Sequence, residues 1–102
     1  MSTTMSEAEV QEKLVQHPGW TLGEDGQLHA EFRFKNFAQT LLFVNAVGHL
    51  AEAADHHPDL FIHGYKYLKV SLMSHDVGGV TARDFRLIAQ IGALPMGQPT
   101  EP

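Results

Sequence analysis

The stretch LHAEFRFKNFAQTLLFVNAVGHLAEAA, residues 28–54, changes its hydrophobic period once, at Asn36. Before that point Leu28, Ala30, Phe32 and Phe34 alternate with His29, Glu31, Arg33 and Lys35. A two-residue repeat of this kind marks a strand with one buried face. After Asn36, apolar residues return every three or four positions. Phe37, Leu41, Val44, Gly48 and Ala51 form one stripe, and Phe43, Val47, Leu50 and Ala54 form a second. Asn36 can accept the first free N–H groups of a helix, so the reading is a strand followed by a helix from about Phe37 to Ala54. Two apolar stripes exceed what one sheet face covers. The extra stripe predicts a partner helix from another subunit, the alternative being that the short N-terminal helix covers it.

Working outward, Glu24-Asp25-Gly26-Gln27 reads as a hairpin turn, with Trp20-Thr21-Leu22 as the short first strand. Upstream, Ser6-Glu7-Ala8-Glu9 has the form of a capping box. It predicts a short helix to about Gln16, with Val10, Leu14 and Val15 facing inward, stopped at His17-Pro18-Gly19. Downstream, Pro58 disfavours helix at His57, so Asp55 to Asp59 is a loop. A brief strand over Leu60 to Ile62 then turns at His63-Gly64. Tyr65 to Met73 is the clearest strand, with Leu68, Val70 and Leu72 on one side and Tyr67, Lys69, Ser71 and Met73 on the other. Ser74 to Gly79 is a polar loop. Thr81 and Asp84 form a second capping box, and Phe85, Leu87, Ile88 and Ile91 give that helix its apolar face. The predicted fold is α+β, in the order α-ββ-α-ββ-α: a four-stranded antiparallel sheet with helices on one face. Residues 1–5 read as a flexible leader, 6–94 as a single domain and 95–102 as a disordered tail.

Composition narrows the function. A chain of 102 residues supports one core. Seven Lys and Arg against twelve Asp and Glu give a net charge of −5, with no basic patch to neutralise phosphates, so no nucleic-acid partner is expected. There is no Cys, which removes disulfides, thiolate metal sites and a Cys nucleophile. No apolar run is long enough to span a membrane, and the polar, acidic N-terminus does not read as a signal peptide, so a cytoplasmic location is expected.

Seven histidines are the unusual feature. His17, His29, His49 and His63 read as surface residues. The others bunch with acids in two loops: Glu52, Asp55, His56 and His57 in one, His75 and Asp76 in the other, with Asp84 beyond. If the second loop folds back beside the first, three imidazoles line one cleft. Imidazole titrates near neutrality and suits proton transfer, and a carboxylate can orient a ring and select its tautomer. Gly78 and Gly79 allow a flat ligand to approach backbone amides. Zinc is disfavoured, because adjacent histidines rarely reach one ion and the HxH and HxxxH spacings are absent.

Glu52-x-x-x-His56-His57-Pro58, Tyr65-x-x-Leu68 and Ser74-His75-x-x-x-Gly79-x-x-x-x-Asp84 together resemble the signature of the pterin-4a-carbinolamine dehydratases. Trp20, the run Phe32-x-Phe34-x-Asn36-Phe37 and the segment DVGGVTARDF at 76–85 extend the resemblance over residues 6–92. Ser74 stands where Thr is usual, keeping the hydroxyl, and Leu68 where Val is usual. The resemblance implies dehydration of a 4a-hydroxytetrahydropterin to the quinonoid dihydropterin, which recycles the cofactor of aromatic amino-acid hydroxylases. It implies no metal and no organic cofactor. It places His56, His57 and His75 in the active site, with Glu52 and Asp84 as supporting acids. Asp55 to Pro58 and Met73 to Asp76 would contact the pterin. It also implies a homotetramer or dimer, built through helix 37–54 and a sheet edge.

The dehydration needs a proton delivered to the leaving oxygen and one removed from ring nitrogen. His56 or His75 is the expected general acid, and His57 is expected to bind and polarise the pterin. The competing reading is a non-catalytic pterin-binding, assembly or coactivator protein on the same fold. Retention of all three histidines favours the enzyme. Protonating seven histidines moves the formal charge from −5 to about +2 near pH 5. Solubility and assembly are therefore expected to change between pH 7 and 5. Constant light scattering across that range would contradict this expectation.

Overall fold

Residues 3–100 are described by a computed structural model. The elements are α1 (Glu7–Leu14), β1 (Thr21–Leu22), β2 (Leu28–Arg33), α2 (Phe37–Ala54), β3 (Asp59–His63), β4 (Tyr67–Leu72) and α3 (Ala82–Gly92). The four strands form one antiparallel sheet in the order β1-β2-β4-β3. Two hairpins meet at the central β2–β4 pairing, where Ala30 faces Val70 and Phe32 faces Leu68. This is the α-ββ-α-ββ-α arrangement that the periodicity predicts.

Alternation decides which sheet face is dry. Leu28, Ala30 and Phe32 of β2 and Leu68, Val70 and Leu72 of β4 are buried. Against them pack Val10 and Leu14 from α1, Phe43, Val47 and Ala51 from α2, and Phe85, Leu87, Ile88 and Ile91 from α3. Phe43 packs against the rings of both Phe32 and Phe34, at centroid distances of 4.9 and 5.0 Å, near the favoured spacing for aromatic pairs.

Several sequence expectations change in detail. The buried stripe of α2 is Thr40, Phe43, Val47 and Ala51, so Ala51 belongs with Phe43 and not with Phe37. Phe37 and Leu41 lie on the outward stripe, 48% and 40% exposed, and Leu42 beside them is 65% exposed. Helix α1 stops at Leu14, and Val15 is exposed because it lies beyond the last helical turn. Strand β3 runs the full length of Asp59 to His63 because β4 pairs with all of it. Strand β4 starts at Tyr67, since Tyr65 occupies the left-handed region in the turn.

His29 is half-buried on the sheet face opposite the helices. Its Nδ1 lies 2.8 Å from Ser71 Oγ and its Nε2 lies 2.9 Å from Asp25 Oδ1, so it ties the β1–β2 turn to β4. The leader is docked at its end: the Met5 N–H donates to the Val80 carbonyl at 2.8 Å.

The segment expected as a disordered tail lies against the domain as far as residue 100. Gly97 N–H donates to Leu94 O, Gln98 Nε2 donates to Gly92 O, and Thr100 N–H donates to Glu31 O at 2.7 Å. Composition reads Pro and Gly as breakers. Here they permit close packing: Pro99 lies against Gly19, and Gly97 sits where an added Cβ would fall 2.1 Å from Ile91 O. Gly97→Ala is therefore expected to undock the tail. Hydrogen exchange should then show Thr100 losing protection while the β2–β4 amides keep theirs. Unchanged Thr100 protection would refute this packing.

Candidate active site

Helix α2 ends in a way that sends two adjacent histidines in opposite directions. Asp55 caps it in the left-handed conformation, at φ 50° and ψ 46°. Aspartate tolerates this region better than most residues. The His56 N–H then reaches back to the Ala51 carbonyl at 3.0 Å, closing the helix end. Pro58 follows and holds His57 extended. The result is that His56 turns inward, 7% exposed, while His57 stays in solvent.

The His56 ring meets a carboxylate from the other end of the chain. His56 Nε2 lies 2.5 Å from Oδ1 of Asp84, which is fully buried in the first turn of α3. The Asp84 carboxylate also completes the capping box of α3, since Thr81 N–H donates to Oδ2 at 2.8 Å. Ser74 Oγ donates to the same Oδ2 at 2.9 Å. Asp84 therefore joins three segments: the end of α2, the loop after β4 and the start of α3. Sequence spacing identifies the capping box but not the second use of its carboxylate.

Ser74 anchors the loop that carries His75. Its N–H donates to Gly79 O at 2.9 Å, and its carbonyl accepts from Gly78 and Gly79. His75 is exposed at the start of that turn. Its neighbour Ser74 is two hydrogen bonds from the His56 ring, through Asp84. On the solvent side, His57 Nε2 pairs with Glu52 Oε1 at 2.8 Å, across one helical turn and the cap. Both side chains are exposed, so the pair sets orientation more than stability. Met73 and Pro58 are half-buried, and Asp55 and Asp76 are exposed. A groove of about 500 Å³ lies at His29, Glu31 and Lys69 on the helix-free sheet face, and His56, His57 and His75 do not line it.

Two participants escape a sequence reading. The Thr81 hydroxyl lies 2.8 Å from Ser74 Oγ, so the helix cap is also part of the buried network. Arg83 Nη2 donates to Asp76 Oδ1 at 2.6 Å, clasping the His75 loop to α3. Asp76 lies in the loop before α3 and Arg83 within that helix, so only the folded loop brings these two together.

That hydrogen bond from Arg83 holds the Asp76 carboxyl below its ordinary value of 3.8. A lowered folded value means the clasp contributes fully above the unfolded value and is lost as pH falls through the folded one. It is intact from pH 7 to 5. An NMR titration of Asp76 should give a midpoint below the ordinary aspartate range, and Arg83→Gln should bring it back up. The same midpoint in both proteins would exclude the clasp.

Comparison with known proteins places the chain in a family. The family profile described as Pterin 4 alpha carbinolamine dehydratase matches residues 3–94. A protein from Chloroflexus aggregans, provisionally named a pterin-4-alpha-carbinolamine dehydratase, is 45% identical over 90 residues, covering 88% of this chain and 95% of that protein. One of the same name from Picosynechococcus is 44% identical over 94 residues, covering 92% of this chain and all of the relative. Among solved structures, a transcriptional coactivator/pterin dehydratase from Brucella melitensis superposes with a TM-score of 0.84 at 29% identity, covering 89% of this chain and 97% of that one. A pterin dehydratase-like RuBisCO assembly factor of the alpha-carboxysome shares the fold, with a TM-score of 0.63 at 24% identity over 82% of this chain and 95% of that one. On the match over almost all of its length, the chain belongs to the pterin 4 alpha carbinolamine dehydratase family.

Proposed function

We propose that this protein dehydrates 4a-hydroxytetrahydropterins by histidine acid–base catalysis. The observation that carries the reading is a buried His56–Asp84 pair in the same network as the loop bearing the exposed His75, with His57 beside it on Glu52. In the reaction the C4a–O bond breaks and the hydroxyl leaves as water after taking a proton. The adjacent ring N–H gives up its proton, and its electron pair closes the C=N bond of the quinonoid dihydropterin. One of His56 and His75 protonates the leaving oxygen, and the other accepts the ring proton. His57, oriented by Glu52, binds and polarises the pterin. The segments Asp55 to Pro58 and Met73 to Asp76 form its contacts. The reaction needs no metal or organic cofactor.

The working form in this reading is a homotetramer or dimer. The outward stripe of α2, with Phe37 and Leu41, supports helix packing, and the open edge of β3 with the 60%-exposed Phe61 supports strand pairing. The setting is the cytoplasm, where the product returns to an aromatic amino-acid hydroxylase after reduction.

A well-placed acid or base is worth about 10²–10⁴-fold. Stopped-flow decay of freshly generated 4a-hydroxytetrahydropterin should accelerate over many turnovers. His56→Ala and His75→Ala should each lower kcat within that range, and the double variant should abolish acceleration while circular dichroism stays native. Full turnover in both single variants would remove the histidines from the mechanism. A folded wild-type protein without acceleration would move the function to pterin binding or assembly.

A further inference from the structure

Hydrogen counting in the buried network fixes more than position. A serine or threonine hydroxyl has one proton to donate. Ser74 gives its proton to Asp84 Oδ2. The contact between Ser74 Oγ and Thr81 Oγ1 must then be supplied by the Thr81 proton. Thr81 Oγ1 in turn accepts from the Arg83 N–H at 3.2 Å. The chain therefore runs in one direction, from Arg83 N–H through Thr81 and Ser74 to Asp84. Oδ2 is filled by Ser74 and by the Thr81 N–H, and Oδ1 is left for His56 Nε2.

The other nitrogen of that ring is free. His56 Nδ1 has no protein partner among the described residues. It is also not among the side-chain atoms that are both buried and unpartnered. The small exposed part of the ring therefore includes Nδ1. We infer that Ser74 and Thr81 are positioning residues that decide which nitrogen of His56 reacts: by holding Oδ2 they aim the acceptor Oδ1 of Asp84 at Nε2, which then carries the hydrogen and leaves Nδ1 to the substrate. Nδ1 takes up a proton when the ring is neutral and gives one when the ring is charged. Nε2 remains an N–H throughout.

The kinetic part of this inference rests on the dehydratase reading; the tautomer does not. The test is ¹⁵N NMR of the full chain labelled at histidine, combined with the stopped-flow assay. In the neutral wild-type ring, Nε2 should carry the hydrogen and Nδ1 should show a bare lone pair. Ser74→Ala and Thr81→Val should each give mixed tautomers and lower kcat about tenfold or more with KM within about twofold, against the 10²–10⁴-fold value of a placed acid or base. Ser74→Thr keeps the hydroxyl and should restore both the tautomer and kcat. Hydrogen on Nδ1 in the wild-type protein would overturn the inference, and so would Ser74→Ala with unchanged tautomer and unchanged kcat. The wild-type spectrum decides the tautomer even if a variant fails to fold. Wild-type protein with Nε2–H but no turnover would sink the dehydratase reading and leave the tautomer assignment supported.

Discussion

The Asp84 carboxylate is the constraint on which the rest of the site depends. It is fully buried, it lies within hydrogen-bond distance of the His56 ring, and it accepts from the Ser74 hydroxyl and the Thr81 amide. These partners come from three segments: the end of α2, the loop after β4 and the start of α3. A buried carboxylate without partners would be expensive, and one bonded at both oxygens is a rigid joint. The cost of burying it is offset by capping a helix that the core needs in any case. One group thereby serves folding and chemistry together.

The same economy explains the contrast between the two adjacent histidines. His56 is held from the inside by a buried acid, His57 from the outside by an exposed one. The first pair is shielded from salt and water, and the second is not. A single left-handed residue, Asp55, produces that division. The proposed roles follow it: the inner ring has a fixed geometry suited to proton transfer, and the outer ring can adjust to a ligand.

Most of the fold is legible in the sequence because it rests on local rules. The change of period at Asn36, the two capping boxes and the alternation through Leu68, Val70 and Leu72 each specify an element without reference to the rest of the chain. Apart from small shifts at the ends of α1 and β4, the departures involve tertiary contacts. The tail reads as disordered because Pro95, Gly97 and Pro99 break regular structure, and nothing local shows that Pro99 fits against Gly19. Ala51 sits on the boundary between two helical stripes, and only the position of the sheet assigns it to Phe43 and Val47. At the site, the residue types and the supporting acids are visible as a pattern. Which acid meets which ring, and the part played by Thr81, depend on a turn angle at Asp55 and on the return of the Ser74 loop.

The docked tail also bears on how the sheet can grow. Strand β1 is two residues long, and where it ends Thr100 takes over the pairing with β2 at Glu31. That border of the sheet is short and partly occupied by the chain's own backbone. The opposite border, β3, is five residues long, and its outer edge pairs with no other strand among the described residues. Adding copies head to tail would need both borders and would build an open filament. With the β1 border partly occupied, pairing of two β3 strands is the mode of strand addition that the sheet leaves least obstructed. A contact of a surface with its own copy closes on itself after one step, so a docked tail favours closed pairing over filament growth.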